Sequence, residues 1–298
     1  MNGFLILDKP EGLTSAQCVY KLRSKLGIKK IGHCGTLDPL ATGLLPVCIG
    51  EATKFSNFAS DLDKVYEVGI EFGIETNTGD ITGNIVSKTD FLGFKDDFPQ
   101  FLTDLEGIQN QIPPKASAVK VNGKRAYSIL RENKNFSLDS KKVFLKSITY
   151  LFSNKNTSSF EIDCGKGFYV RSLARDIAYK LGTYGHVVEL KRTKVGQFTE
   201  KSSILLDDIL KIGQSEFEFN CIHSSISMLD DILAYEVEEK KDLNDLSLGK
   251  SIFINKKKLI KKPLNSDKEE LVFLSKKGKI ISFGKLSEDL FKPNKVLI

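Results

Sequence analysis

One glycine-rich segment of the sequence combines the residue types that nucleophilic or acid–base chemistry needs. It reads GHCGTLDPLATG over residues 32–43, and its three glycines allow the backbone to approach a ligand closely or to adopt positive φ. Asp38 precedes Pro39, which favours an extended backbone at Asp38 and stiffens the link between the two residues. A carboxylate held at a fixed position can act as a nucleophile or stabilise an ion. Asp38 is therefore a candidate catalytic residue.

Other interpretations of these residues stay open at this point. Asp-Pro is also an ordinary way to start a turn. The glycines resemble a phosphate-binding loop, but the G-K-[ST] ending of such a loop is missing. An aspartic protease needs a second matching loop, and NTGD at 77–80 is a poor match. The three histidines are far apart in sequence and CIH at 221–223 has no other Cys or His close to it in sequence, so we expect no metal site.

Positive charge is concentrated in one part of the chain. The net charge is +6, and residues 113–146 hold nine Lys/Arg against two acids, or +7, so the remainder sums to −1. A second stretch, residues 12–37, has five Lys/Arg and no acid. Such concentration favours a polyphosphate ligand, because each neutralised phosphate releases condensed counterions. A Lys-rich surface without a nucleic-acid ligand would give the same charge pattern.

Composition limits the class of protein. The 298 residues are enough for one large and one small domain, and 41% hydrophobic with 28% charged residues is typical of a soluble globular protein. The five cysteines are odd in number and contain no C-x-x-C pair, which favours a reducing, cytoplasmic setting without disulfides. The N-terminus does not have the pattern of a signal peptide, and no apolar run reaches the roughly 18 residues of a membrane span.

Hydrophobic periodicity identifies the elements that must position the Asp38 segment. The patterns predict strands at 3–7, 44–49, 64–74, 188–190 and 193–198, and helices at about 14–26 and 169–181. Residues 31–42 are predicted to form a loop between the first helix and a buried strand. From about residue 228 short β-like runs alternate with Lys-rich turns. We interpret this change of texture as a separate small β domain.

The Asp38 segment, extended to residue 55, resembles the catalytic motif of the TruB family, the bacterial tRNA pseudouridine-55 synthases. Further motifs in the same order are also similar to that family. They are GFLILDKP at 3–10 with GLTS at 12–15, KVYE at 64–67, QIPPKASAVK at 111–120 with GKRAY at 123–127, GKGFYVRSL at 165–173, and LKRT at 190–193. The ordered series covers residues 3–198 and is far more specific than any single motif.

The resemblance implies a fold and a division into domains. We expect an α+β protein, with a mixed, largely antiparallel sheet in a pseudouridine synthase domain at 1–229 and a small β-barrel-like, PUA-like RNA-binding domain at 230–298. A basic RNA-contacting insertion (residues 109–146, hereafter the insertion) is expected within the first domain. It should hold the T-arm of tRNA by its backbone, which gives affinity without reading sequence.

The resemblance also implies a reaction centred on Asp38. Isomerising uridine to pseudouridine breaks the N1–C1′ bond and rejoins the base through C5, so no group is gained and no cofactor or metal is required. Asp38 is the expected catalytic carboxylate, acting at the sugar or the base. Arg171 is the expected cation that keeps it ionised by lowering its pKa. We further expect a cytoplasmic monomer with no membrane association and no obligate protein partner.

Four more residues acquire substrate-binding roles from the same resemblance. Tyr66 should lie against the flipped base and take part in proton transfer at C5. Tyr169 should stack on the base or bond to it, and Leu190 should close the pocket. His33 should stack in the RNA loop where the extracted base had been. Without the motifs, Tyr66 and Leu190 would equally suit a hydrophobic core, and His33 an ordinary loop.

One departure from the family pattern lies beside the Asp38 segment, and two rival functions remain. Cys34 stands where Thr is usual, which removes a hydroxyl and predicts a less rigid loop. A non-catalytic tRNA-binding or RNA-folding protein would use the same basic surface but would tolerate the loss of Asp38. The second rival is a synthase that uses guide RNAs, which the compact length and the lack of long basic tails disfavour.

Overall fold

The computed structural model describes residues 2–91, 93–94, 97–132, 134–211, 221–225, 232–261 and 270–297. The strands are β1 Gly3–Lys9, β2 Ile31–His33, β3 Thr42–Ile49, β4 Lys64–Phe72, β5 Ile74–Thr76, β6 Ile85–Lys88, β7 Gly107–Gln111, β8 Lys120–Val121, β9 Lys124–Arg125, β10 Lys141–Asn154, β11 Thr157–Cys164, β12 Gly185–Val195, β13 Phe198–Thr199, β14 Ile204–Leu205, β15 Leu233–Glu236, β16 Ile252–Phe253, β17 Leu259–Lys261, β18 Glu270–Lys276, β19 Lys279–Ser287 and β20 Leu290–Val296. The α-helices are α1 Ser15–Leu26, α2 Ser56–Asp61, α3 Phe98–Thr103, α4 Ala126–Arg131, α5 Val170–Lys180, α6 Leu206–Lys211 and α7 Lys240–Ser247.

The largest sheet in the described residues is mixed and has ten strands. Its order is β14-β1-β3-β12-β4-β11-β10-β7, with β2 beside β3 and β13 beside β12. The β1–β14 and β3–β12 pairs are parallel, and the other pairs are antiparallel. Helices α1 and α5 contribute buried apolar residues to its main core. The predicted α+β class with a largely antiparallel sheet is confirmed.

Local sequence signals fix α1 at both ends. Thr14 Oγ1 accepts a hydrogen bond from Gln17 N at 3.1 Å, and Gln17 Oε1 accepts one from Thr14 N at 2.8 Å, which forms a capping box. Gly27 ends the helix at φ +63°, a conformation that favours glycine. The predicted helix at about 14–26 is therefore confirmed.

Two predicted boundaries around the site are wrong. The predicted loop at 31–42 begins with β2, which pairs with β3 from Ile31–Ile49 to His33–Val47. The two strands predicted at 188–190 and 193–198 are largely one strand, β12, followed by the short β13. Register shifts between Val187 and Glu189 and between Arg192 and Lys194 explain the error, because each bulge interrupts the alternation that identifies a strand.

A second sheet of six strands, ordered β16-β20-β19-β18-β15-β17, lies in the C-terminal region and curls into a half-barrel. It packs against the first sheet's domain through edge-to-face aromatic contacts of Phe55 and Phe58 with Phe273 and Phe283, with ring centroids 5.3 to 5.8 Å apart. The predicted boundary at 229/230 falls outside the residues described above. Of the helices that the structure describes, none has the length and apolarity to cross a membrane.

Candidate active site

Five of the six predicted site residues line one cleft of about 270 Å³. They are Asp38, Tyr66, Tyr169, Arg171 and Leu190. They come from four places in the fold: the segment between β2 and β3, strand β4, the first turn of α5 with the residue before it, and strand β12. The sheet thus brings together residues that are up to about 150 positions apart in sequence.

Asp38 and Arg171 form a two-point ion pair in this cleft. Arg171 Nε lies 2.8 Å from Asp38 Oδ2, and Arg171 Nη2 donates a hydrogen bond to Asp38 Oδ1 at 3.0 Å. The Arg171 side chain is 6% exposed and the Asp38 side chain 31% exposed. The fork of a guanidinium fits both oxygens of a carboxylate, so the pair fixes the orientation of Asp38 as well as its charge. The carboxylate still faces the cleft, where a substrate can reach it.

The guanidinium of Arg171 is itself held from three further sides. Nη1 donates to Thr78 O at 2.8 Å, Nη2 donates to Ala116 O at 3.0 Å, and Nη1 lies 3.4 Å from Asp80 Oδ2. Asp80 is buried, and its Oδ1 accepts bonds from the backbone and hydroxyl of Thr82 at 3.0 and 2.6 Å. Sequence reasoning missed Asp80, because only the fold brings its loop behind Arg171.

Burial raises the pKa of the Asp38 carboxyl above its ordinary value, and the adjacent Arg171 opposes that rise. The negative charge of Asp80 raises the pKa further, and the more remote Lys9 lowers it. Arg171 lowers the pKa of Asp38, as predicted, but desolvation has the larger effect, so the net change is upward. Desolvation removes the water that would otherwise stabilise the carboxylate, so Asp38 is a more basic group than a surface aspartate.

Three buried side chains hold the backbone on either side of Asp38. Ser15 Oγ donates to Leu37 O at 3.0 Å and accepts from Leu37 N at 2.9 Å. Lys9 is fully buried, and its Nζ donates to Pro39 O at 3.3 Å as well as to the carbonyls of Pro10 and Leu13, each at 2.7 Å. The third is Arg192, whose Nη2 donates to the carbonyl of Gly35 at 3.1 Å.

These contacts bear on the cysteine that replaces the usual threonine. Cys34 is fully buried and lies beside Cys48, whose Sγ donates to Gly32 O at 3.1 Å. The backbone of Cys34 is fixed by a bond from its N to Pro46 O at 2.8 Å. The segment is therefore anchored by its backbone and by its neighbours' side chains, so its position does not depend on a hydroxyl at residue 34.

Arg192 links the Asp38 segment to the cleft tyrosine. Its side chain is 1% exposed, its Nε donates to Leu44 O at 2.6 Å, and its Nη1 donates to Tyr66 Oη at 3.4 Å. The guanidinium also lies over the Tyr66 ring, 5.9 Å from its centroid. Burial raises the pKa of the Tyr66 phenol, which Arg192 partly offsets, so the hydroxyl keeps its proton at neutral pH. The sequence analysis included Arg192 in the LKRT motif but gave it no role.

Close packing around Arg192 explains one glycine of the Asp38 segment. Gly43 has φ +90°, and a Cβ built there would lie 2.2 Å from Arg192 O. The two residues are register partners where β3 and β12 run parallel. Only glycine allows the strands that carry the cleft to approach this closely.

The remaining cleft residues are held by the sheet and by α5. Tyr169 immediately precedes α5, and burial raises the pKa of its phenol. Leu190 is 7% exposed and is the register partner of Val68 on β4. Together with the Tyr66 ring, these side chains offer flat and apolar surfaces of the kind that a base requires.

His33 is not part of the cleft lining. It ends β2, where it is the register partner of Val47. Burial and the charge of Arg192 lower the pKa of the His33 imidazole, so the ring is neutral at pH 7. Its Nδ1 is buried and has no hydrogen-bond partner among the atoms that the structure describes. Its expected place in the RNA loop stays a prediction.

Two family descriptions match most of the chain. Residues 23–170 match the one described as "TruB family pseudouridylate synthase (N terminal domain)", and residues 171–234 match "tRNA pseudouridylate synthase B C-terminal domain". Within the part of the chain that is described, no cluster of three or more His, Cys, Asp or Glu side chains could hold a metal ion.

Similar proteins and structures agree with this match. The chain is 33% identical to the tRNA pseudouridine synthase B of Sinorhizobium medicae, covering 99% of this chain and 96% of that protein. It is 34% identical to that of Ehrlichia ruminantium, covering 99% of both, and 42% identical to that of Anaplasma phagocytophilum over 76% of both. Among solved structures, a Cbf5-Nop10-Gar1 complex matches with a TM-score of 0.75 at 22% identity, covering 99% of this chain and 84% of that one, which shows a shared fold.

Proposed function

The chain belongs to the TruB family of pseudouridine synthases, and from that premise we propose that it isomerises a uridine of tRNA to pseudouridine in the Asp38 cleft. The proposed target is uridine 55 of the T-loop. The observation that carries the proposal is the two-point ion pair of Asp38 and Arg171 in a cleft lined by Tyr66, Tyr169 and Leu190. Rigidly held and partly desolvated, this carboxylate is suited to covalent or electrostatic catalysis.

The reaction moves one bond of the nucleoside and needs no external reactant. The N1–C1′ bond breaks, the detached uracil turns, and a C5–C1′ bond forms; the C5 proton is lost and N1 gains one. Asp38 acts at the sugar or the base when the first bond breaks. The uracil must stay bound in between, and the ring of Tyr66 with the side chain of Leu190 supports it on apolar surfaces.

The lost C5 proton needs an acceptor near the base. We assign this part to Tyr66, whose hydroxyl accepts a hydrogen bond from Arg192 at 3.4 Å. The charge of Arg192 stabilises a phenolate and so makes proton transfer through the hydroxyl easier. The phenol is protonated at rest, so it accepts the C5 proton only as its own hydroxyl proton leaves to water, and N1 of the uracil takes up one proton in exchange.

The tRNA is held outside the cleft by groups with positive charge. The insertion carries the +7 of residues 113–146 and lies against the cleft through Ala116 O, which accepts from Arg171. We propose that it binds the phosphates of the T-arm. His33 would fill the stack that the extracted base leaves, for which a neutral ring is the suitable form. The C-terminal sheet, which begins beyond residue 231, would add to the RNA-binding surface.

Release of tritium from tRNA labelled at uridine C5 tests this proposal. Wild-type protein should release label into water, and Asp38→Ala should release none while binding the tRNA as tightly. If neither protein releases label and both bind, the chain is a tRNA-binding protein and the proposal fails. That rival is not favoured by the family, whose named relatives are synthases.

A further inference from the structure

Gln111, near the start of the insertion, forms two hydrogen bonds to the backbone of Tyr169, whose side chain lines the cleft. Gln111 ends β7 and is 3% exposed. Its Oε1 accepts a hydrogen bond from Tyr169 N at 2.8 Å, and its Nε2 donates one to Tyr169 O at 3.0 Å. Only one orientation of the amide satisfies both, because a backbone N–H can only donate and a carbonyl can only accept. The contact is therefore a complementary pair of hydrogen bonds between residues that are 58 positions apart.

This pair of hydrogen bonds lies at the N-terminus of α5, where the helix has no side-chain cap. Tyr169 is the residue before α5, its backbone is extended at φ −114° and ψ 107°, and its side chain makes no capping hydrogen bond. The tyrosine side chain lines the cleft instead. Fixing both backbone groups of Tyr169 fixes the first turn of α5, and that turn carries Arg171.

The residues after Gln111 continue along the same helix. Ile112 O accepts from Ser172 Oγ at 2.7 Å and from Arg175 Nη2 at 3.1 Å. Ala116 O accepts from Arg171 Nη2 at 3.0 Å. In these contacts, side chains of α5 donate hydrogen bonds to backbone carbonyls of the insertion. Gln111 differs, because there a side chain of the insertion bonds to the backbone of the residue that precedes α5.

We propose that Gln111 is a positioning residue of the isomerisation, whose amide sets Tyr169 and, through the first turn of α5, sets Arg171 against Asp38. It joins the segment that holds the RNA backbone to the segment that holds the base. The proposal rests on the proposed function, because it requires the cleft to be the site of isomerisation. Gln111 does not touch the reacting atoms, so its loss should slow the chemical step without weakening tRNA binding.

Gln111→Glu tests this role with a change of one atom. The carboxylate accepts from Tyr169 N but repels Tyr169 O, so one bond is replaced by a buried conflict. We expect the single-turnover rate at pH ~8 to fall about ten- to a hundred-fold, with the dissociation constant for tRNA within about two-fold of wild type. The control is Gln100→Glu on α3, outside the insertion, where the Gln100 amide donates to Asp104 Oδ1 at 2.8 Å. This control adds the same charge and should not slow the chemistry.

Acid should partly rescue Gln111→Glu and not its control. A protonated glutamic acid has one donor and one acceptor, which restores both bonds to Tyr169. Burial raises the pKa of the new carboxyl, while Arg171 and Arg175 on α5 and Lys141, the register partner on β10, lower it. The variant's rate as a fraction of the wild-type rate should rise at least about three-fold from pH ~8 to pH ~6, whereas a merely structural defect gives a constant fraction.

A neutral variant covers the case in which the charged one does not fold. Gln111→Met keeps the length of the side chain, removes both bonds and cannot be rescued by acid. A melting temperature near that of wild type, a slowed single turnover and a flat ratio across pH would support the proposal. Wild-type turnover in Gln111→Met, or equal losses in Gln111→Glu and Gln100→Glu, would overturn it. A wild-type protein that is itself inactive on tRNA would instead refute the proposed function.

Discussion

Replacing Arg171 by lysine tests how much of the catalysis comes from the geometry of the ion pair. Lysine keeps the charge but places one ammonium where the guanidinium meets both oxygens of Asp38, the carbonyls of Thr78 and Ala116, and Asp80. At least two charge-assisted hydrogen bonds are lost, each contributing about 1.5–3 kcal/mol. The loss of about 3–6 kcal/mol is an upper limit on the rise of the barrier.

The expected result of Arg171→Lys is a single-turnover rate lower by about 10²- to 10⁴-fold, measured by tritium release from tRNA. The pH profile should change as well. Arg171 opposes the burial that raises the pKa of Asp38, so a weaker pair lets that pKa rise, and the acid limb of the profile moves to higher pH. Arg23→Lys, on α1, controls for the exchange itself. A rate within about three-fold of wild type with an unmoved acid limb would refute this account of the pair.

Three further changes follow from the site and its packing. Asp80→Asn removes a charge that raises the pKa of Asp38, so the acid limb should move to lower pH, while the plateau rate falls because an amide hydrogen then faces Arg171. Gly43→Ala places a Cβ 2.2 Å from a backbone oxygen of β12 and should lower the free energy of unfolding by more than about 3 kcal/mol in urea titrations. Burial lowers the pKa of Lys64 to about 8, so between that pH and 10.5 the unfolded chain binds more protons than the folded one. The free energy of unfolding should therefore rise with pH across this window, and Lys64→Met should flatten that rise.

Each of these three has its own control or contrary outcome. An acid limb of Asp80→Asn that moves to higher pH would mean that its charge does not act on Asp38. Gly12 also has positive φ, but a Cβ there meets nothing within 4 Å, so Gly12→Ala should destabilise the fold by only about 1 kcal/mol. Equal losses for Gly43→Ala and Gly12→Ala would contradict the packing argument. A slope that persists in Lys64→Met would assign the pH dependence to another group.

The parts of the fold that the sequence predicts are those with local causes. The capping box at Thr14 and the stop at Gly27 act within a few residues, so α1 could be placed almost to the residue. The bulges of β12 are shifts of its register against β4, and they hid a continuous strand from any pattern of period two. β2 was missed because three residues around a glycine carry too little alternation to be recognised.

The residues of the site also divide into those that local sequence identifies and those that only the fold identifies. Asp38 stands out in its own segment, and the motif series added Arg171 and Tyr66. By contrast, Lys9 and Arg192 act on backbone carbonyls, which every residue possesses, so no residue type in the sequence identifies their partners. The net pKa of Asp38 could not be predicted for a related reason: the sequence indicates a cation nearby but not the extent of burial, which has the larger effect on that pKa.

Mapping pseudouridine in an unmodified tRNA transcript tests the central claim most directly. After incubation with the wild-type protein, the T-loop uridine at position 55 should be converted. Asp38→Asn should convert none, while keeping the melting temperature and the affinity for tRNA. Conversion at that position by Asp38→Asn, at any rate near that of the wild type, would contradict the claim that the Asp38 carboxylate carries out the isomerisation.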